Sequence, residues 1–106
     1  MKIGFDFDDT LNTDKGKNLA KRLIKDNELF IITRRQSTAL EPVKNLAKEI
    51  GIPISNVYAT NGKLKWEKVK ELNLDRFYDN NQNEINHIND NTETRGIKFN
   101  RENFKY

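Results

Sequence analysis

Short apolar runs alternate with amphipathic segments along this chain. Five runs concentrate apolar, β-branched and aromatic residues in the way that is typical of strands buried in a sheet. The first run, KIGFDF, leads into a cluster of acids, and the second, ELFIIT, ends in a threonine. These runs predict strands at 2–7, 28–33, 56–59, 76–79 and 96–99.

The segments between the predicted strands carry apolar residues at helical spacing. The clearest is the segment 37–50, where Leu40, Val43 and Leu46 lie on one stripe and Gly51 follows at the position of a helix C-cap. The same kind of spacing predicts helices at 14–26, 65–72 and 84–88.

The alternation of strands and helices predicts an α/β domain with a mostly parallel sheet. A length of 106 residues is that of one domain, so we expect residues 1–106 to form a single unit. In such a sheet the ligand lies beyond the carboxyl ends of the strands. The residues that end each strand are therefore the first candidates for function.

The composition narrows the classes of function. The chain has no cysteine, which excludes disulfides, zinc–thiolate sites and a thiol nucleophile. No apolar run approaches the roughly 18 residues of a membrane span, and the N-terminus lacks a signal-peptide pattern. We therefore expect a cytoplasmic protein with no membrane partner. The net charge of +3 suits an anionic substrate without requiring nucleic acid.

Polar residues crowd the end of the first predicted strand: Asp6, Asp8, Asp9 and Thr10. Adjacent carboxylates repel one another unless a cation or hydrogen-bond donors compensate. A hard, oxygen-seeking ion such as Mg²⁺ is the natural compensator. An acidic loop that only caps the next helix accounts poorly for three acids within four positions.

Five further polar residues end or follow the other predicted strands. Thr33 ends the second strand and Arg34 follows it, a pair that suits either a phosphate oxygen or the cap of a turn. Lys63 and Lys65 precede or open the third long helix, and Asp79 ends the fourth strand. Because the strands are predicted to be parallel, we expect Asp79 to lie at the same edge as Asp6.

These positions resemble the motifs of the haloacid dehalogenase (HAD) superfamily. The stretch IGFDFDDTL, from Ile3 to Leu11, resembles its first motif, an apolar strand followed by Asp-x-Asp-x-Thr-Leu. Thr33 at the end of LFIIT is similar to the second motif. The run KWEKVKELNLDRFYDNN resembles the third and fourth motifs together, a lysine that opens a helix and a strand that ends in aspartate. The resemblance covers nearly the whole chain.

The resemblance implies a three-layer, Rossmann-like fold whose parallel sheet has about five strands in the order 5-4-1-2-3. It also implies that a cap domain is absent, because the intervals in which HAD proteins insert one hold only a single helix, or a helix and a short strand. The cleft is then expected to be open, or to be closed by a partner or by the substrate.

The resemblance implies a magnesium-dependent phosphatase with an aspartyl-phosphate intermediate. In this assignment Asp6 is the nucleophile and Asp8 is the general acid and base. The carboxylates of Asp6 and Asp79 and the backbone carbonyl of Asp8 hold Mg²⁺.

The same resemblance assigns phosphate binding to Thr33 and a lysine, and we place Arg34 near the substrate as well. Lys65 is preferred because it stands 14 positions before Asp79, the length of a helix and a strand. Lys63 is the reserve candidate.

One departure from the motifs concerns the metal. The fourth motif often reads Asp-Asp, but here Asp79 is followed by Asn80, which adds no charge. Glu84, five positions after Asp79, is an acid that can substitute.

Other functions remain open at this stage. A non-catalytic HAD-like module that binds a protein partner would also have a small, capless chain. A receiver domain uses a similar acidic cluster, but it needs an aspartate after the third strand, where this chain has Thr60. We expect a phosphorylated small molecule or nucleotide as substrate, and a monomer or a weak homo-oligomer. A nucleic-acid end stays an alternative substrate that is not favoured.

Overall fold

The computed structural model describes residues 1–100. The six residues after them, for which the sequence predicts no element, lie outside the described residues. Five strands form one sheet: β1 (Lys2–Phe5), β2 (Glu28–Thr33), β3 (Val57–Ala59), β4 (Arg76–Asp79) and β5 (Arg95–Lys98).

Four α-helices connect these strands. They are α1 (Asp14–Leu23), α2 (Glu41–Ile50), α3 (Trp66–Leu72) and α4 (Gln82–Asn91). An irregular helical turn (Phe7–Leu11) joins β1 to α1.

The helix predicted at 65–72 begins one residue later, at Trp66, and two other predicted helices are shorter by more, for local reasons. The helix predicted at 14–26 ends at Leu23, whose carbonyl accepts a hydrogen bond from the Asn27 side chain. The helix predicted at 37–50 begins only at Glu41, because Pro42 occupies the first turn, where its missing N–H is tolerated. The segment Ser37–Ala39 before it forms a separate 3₁₀ turn.

The fourth helix is longer than the predicted 84–88. Asn81 caps it by accepting a hydrogen bond from the Glu84 backbone N–H, and the helix continues to Asn91. Strand β1 is shorter than the predicted 2–7, because the chain leaves the sheet at Asp6 and enters the turn.

The sheet is entirely parallel, with β1 in its centre between β2 and β4. Its strand order, β3-β2-β1-β4-β5, confirms the predicted order 5-4-1-2-3 read from the opposite edge. The carboxyl end of β1 therefore lies directly between the ends of the two strands that carry Thr33 and Asp79.

Helices cover both faces of the sheet, which makes a three-layer α/β fold. Side chains of β2 alternate between the faces. Leu29 and Ile31 pack into a core with residues of α1 and α2, whereas Phe30 and Ile32 pack with residues of α3 and α4. None of the helices within residues 1–100 is long and apolar enough to cross a membrane.

Candidate active site

The turn after β1 holds Asp6 at the centre of the sheet edge. Its backbone carbonyl accepts a hydrogen bond from the Leu11 N–H, and its Oδ2 lies 3.2 Å from the hydroxyl of Thr10. Helix α1 packs tightly on this turn at Gly16, where a Cβ atom would lie 1.9 Å from the Thr10 carbonyl oxygen. A glycine at that position lets the helix approach and fix the turn.

Lys65 joins two buried carboxylates in the cleft. Its Nζ lies 2.7 Å from Oδ1 of Asp6 and 2.7 Å from Oδ2 of Asp79. All three side chains are almost completely buried. Asp6 and Asp79 follow or end the adjacent strands β1 and β4, and Lys65 immediately precedes α3. Lys65, and not Lys63, therefore lies in this cluster, and its role in binding phosphate stays a prediction.

Burial changes the acidity of this cluster. It raises the pKa of the Asp6 carboxyl from 3.8 to about 7, and the nearby Asp79 adds to the rise while Lys65 opposes it. Burial also disfavours the charged Lys65, but the two carboxylates outweigh that effect and raise its pKa. The ammonium group is thus fixed in its charged form beside Asp6.

Glu84 is a third buried carboxylate at the same edge. Its Oε1 accepts a hydrogen bond from the Lys65 backbone N–H, at 3.1 Å. Its Oε2 has no hydrogen-bond partner and lies 3.5 Å from a guanidinium nitrogen of Arg34. Burying a carboxylate oxygen without a hydrogen bond is costly. The sequence identified Glu84 as a substitute acid, but not as a buried one.

Asp8 pairs with Arg35 at the same cleft. Its two carboxylate oxygens lie 2.9 and 3.1 Å from two nitrogens of one guanidinium group. Arg35 was not among the site residues predicted from the sequence. Its position directly after the β2 carboxyl end was the available signal, but the direction of the side chain depends on tertiary contacts.

Thr33, Arg34 and Lys63, which the sequence also proposed for the site, lie in three different environments. Thr33 is buried, its hydroxyl accepts a hydrogen bond from the Arg35 N–H, and its role in phosphate binding stays a prediction. Arg34 lines the cleft while its Nε donates to the Gly62 carbonyl. Lys63 is exposed and lies at a separate depression beside α3.

The cleft is open, has a volume of about 280 Å³, and is rich in negative charge. Five carboxyl groups and three cationic side chains line it, so the acids outnumber the cations by two. The acids are Asp6, Asp8, Asp9, Asp79 and Glu84, and the cations are Arg34, Arg35 and Lys65.

A hard cation fits this donor set. Asp6 and Asp79 place two carboxylates on adjacent strands, Glu84 offers an oxygen without a hydrogen-bond partner, and carboxylate oxygens are the ligands that Mg²⁺ prefers. Among residues 1–100, however, no three acidic or imidazole side chains are gathered as a pre-formed metal site. Lys65 separates Asp6 from Asp79, and Asp8 faces Arg35.

A larger depression, of about 570 Å³, lies at the opposite end of the sheet, beside the start of β5. Thr94 is its buried polar residue, and the Thr94 hydroxyl already donates to the Leu74 carbonyl. The cleft at Asp6 is the better candidate because it combines buried acids, a buried cation and a carboxyl with a strongly raised pKa.

Comparisons with known proteins do not identify this chain: no family model matches it, and no curated protein matches its sequence.

Proposed function

We propose that the protein is a magnesium-dependent phosphatase of the HAD type, with Asp6 as a covalent nucleophile. The position of Asp6 supports this most directly. It lies buried just beyond the central strand, in contact with the ammonium group of Lys65 and beside Asp79 on the next strand. A carboxylate beside a fixed cation, in a cleft open to solvent, is suited to attack a phosphate ester.

The proposed reaction has two steps. In the first, an Asp6 oxygen forms a bond to phosphorus, the bond from phosphorus to the leaving oxygen breaks, and Asp8 gives that oxygen a proton. In the second, Asp8 takes a proton from water, the water oxygen bonds to phosphorus, and the bond to Asp6 breaks. Each proton transfer is general acid–base catalysis by one carboxyl group.

Lys65 supplies positive charge throughout this sequence. Its Nζ contacts Asp6, so the phosphoryl group approaches a carboxylate whose charge is partly offset. Arg34, at the rim, is in position to contact the same group. Asp6, Asp79 and the backbone carbonyl of Asp8 would hold Mg²⁺, which offsets the charge of the phosphate when bound.

Hydrolysis of an aryl phosphate tests this proposal. We expect release of phosphate that requires Mg²⁺ and disappears in Asp6→Asn, because an amide cannot serve as this nucleophile. Asp8→Asn is expected to slow release by roughly 10²–10⁴-fold, the range for lost acid–base catalysis. Asp26→Asn, at an exposed acid outside the cleft, is the matched control.

Equal phosphate release by the wild type and Asp6→Asn would contradict the mechanism. A properly folded wild type that hydrolyses no phosphate ester would instead favour the non-catalytic, partner-binding module. The buried ionic cluster at Asp6 speaks against that alternative, because such clusters usually cost stability and are often found at catalytic sites.

A further inference from the structure

The contact between Arg35 and Asp8 has a geometry that bears on substrate choice. Nε of Arg35 lies 3.1 Å from Oδ2 of Asp8, and a terminal nitrogen of the same guanidinium lies 2.9 Å from Oδ1. Both oxygens of the proposed general acid are therefore occupied by one cation.

Two further contacts hold Arg35 at the rim of the cleft. Its other terminal nitrogen donates to the Ala39 carbonyl, at 3.2 Å, and its guanidinium lies 5.2 Å from the ring centre of Phe7. The side chain is nevertheless about one third exposed, and that of Asp8 is half exposed. The pair thus borders solvent, whereas Lys65 is buried beside Asp6.

This arrangement separates two anion-binding positions in the cleft. Lys65 contacts the proposed nucleophile and so belongs to the transferring phosphoryl group. Arg35 contacts Asp8, the proposed acid for the leaving oxygen, and so belongs to the part of the substrate that carries that oxygen. A guanidinium that binds a carboxylate through two N–H groups binds a phosphate in the same way.

We propose that Arg35 selects substrates that carry a second phosphate group, and that this group displaces Asp8 from the guanidinium. The inference rests on the proposed function, and it names the class of substrate. The exchange forms and breaks only ionic hydrogen bonds. It leaves Asp8 free to turn towards the leaving oxygen, so the correct substrate completes the active site.

The displacement of Asp8 requires little energy, because partly exposed ion pairs are weak. Such pairs change an equilibrium by a factor of about two to five. A phosphate carries up to twice the charge of a carboxylate and has three acceptor oxygens, so its contact with the guanidinium is worth more, a factor of about ten or greater. A second phosphate is therefore able to open the pair, and a substrate without one must open it unaided.

Matched alkyl monophosphates and α,ω-alkanediol bisphosphates test this inference. Each bisphosphate has two equivalent groups, so chance alone gives it an advantage of about two in kcat/KM. We expect the wild type to favour the bisphosphate by about ten-fold or more at the best chain length. In Arg35→Gln the preference should fall to about two, and monophosphate turnover should rise about two- to five-fold as Asp8 is released.

Two variants control for changes other than the loss of this contact. Arg35→Lys keeps the charge but loses the paired N–H groups, and should retain only part of the preference. Arg22→Gln removes an exposed arginine on α1 and should retain all of it. The inference is overturned if the wild type shows a ratio near two at every chain length. It is also overturned if Arg35→Gln lowers turnover of both substrates equally, which would make Arg35 a positioning residue.

Calorimetry separates failure of this inference from failure of the proposed function. With Mg²⁺ present, Asp6→Asn should bind the bisphosphate about ten-fold more tightly than the monophosphate, and Asp6→Asn/Arg35→Gln should not. If the wild type hydrolyses nothing while this preference persists, the phosphatase proposal fails and the Arg35 site is supported. If Asp6→Asn binds the bisphosphate no more than about two-fold more tightly, which is the factor expected by chance, the Arg35 site fails whatever the activity.

Discussion

Nζ of Lys65 lies 2.7 Å from Oδ1 of Asp6, a residue 59 positions earlier in the chain. The contact is buried, and the same ammonium group lies equally close to Asp79. Two carboxylates that would otherwise repel each other at the end of adjacent strands are therefore held together by one lysine. Structure and proposed chemistry depend on the same three side chains.

Replacement of Lys65 is expected to reduce both stability and activity. Lys65→Gln leaves Asp6 and Asp79 buried without their cation, and loss of one partner from a buried pair costs about 3–5 kcal/mol. Lys63→Gln, at an exposed neighbour, should change stability by less than about 0.5 kcal/mol. Urea unfolding measures the free energy of unfolding of both variants. Phosphate release should fall at least 100-fold in Lys65→Gln only. Equal effects of the two variants would contradict the assignment of Lys65.

Magnesium is expected to stabilise the wild type against heat. A ligand at about 100 times its Kd adds about 2.7 kcal/mol, which for a domain of this size raises Tm on the order of 10 °C. Asp79→Asn should abolish the shift, because it removes a charged ligand. Asp26→Asn should preserve it. Differential scanning calorimetry with and without Mg²⁺ measures both. An unchanged shift in Asp79→Asn would show that Asp79 is not a ligand.

The raised pKa of Asp6 predicts how stability depends on pH without metal. In the unfolded chain this carboxyl releases its proton near pH 3.8, but in the folded protein only near pH 7. Between these values the folded state holds the extra proton, so the free energy of unfolding falls as pH rises. Above about pH 7 the contribution of Asp6 to the free energy of unfolding no longer changes with pH. Lys65 stays charged across the window, because its pKa is raised from 10.5.

Asp6→Asn removes the titration of this carboxyl. The free energy of unfolding should therefore fall less between about pH 4 and pH 7 than it does in the wild type. Urea unfolding in the presence of a chelator measures it, with Asp26→Asn as the control for a lost exposed acid. Parallel pH profiles for the wild type and Asp6→Asn would contradict the raised pKa.

Asn80 and Glu84, the residues near the fourth motif, are predicted to affect the affinity of the protein for Mg²⁺. Asn80 lines the cleft, and its Oδ1 lies 3.5 Å from the Thr10 hydroxyl, so an added charge there would face the site. Asn80→Asp should tighten Mg²⁺ binding, and Glu84→Gln should weaken it, each by about 10–100-fold. The half-saturating Mg²⁺ concentration for phosphate release measures these changes. If both variants retain the wild-type value, neither residue acts on the metal.

The sequence predicted much of the fold because its signals are local. Apolar runs and helical stripes indicate the strands and helices, and Pro42 and Asn27 account for two of the helix ends that differ. The strand order followed from the motif resemblance, which requires the strands of Thr33 and Asp79 to flank that of Asp6. Spacing favoured Lys65 over Lys63, and Lys65 is the one of the two that lines the cleft, immediately before α3.

The contacts of Asp8 and Glu84 were beyond prediction from local signals. The ion pair of Asp8 with Arg35 joins two loops that follow different strands, and the side-chain directions depend on Phe7 and Ala39. Glu84 shares a helix face with buried Ile85 and Ile88, a faint signal of burial. Its pairing with the Lys65 backbone N–H depends on how α3 and α4 pack together.

Trapping the covalent intermediate tests the central claim most directly. Asp8→Asn should form the aspartyl-phosphate from an aryl phosphate, whose leaving group needs little acid assistance, and should hydrolyse it slowly. Mass spectrometry of acid-quenched Asp8→Asn, mixed with substrate and Mg²⁺, is expected to find one phosphoryl group on the peptide that contains Asp6. The double variant Asp6→Asn/Asp8→Asn should show none. A phosphoryl group on another residue, or turnover without any adduct, would contradict nucleophilic attack by Asp6.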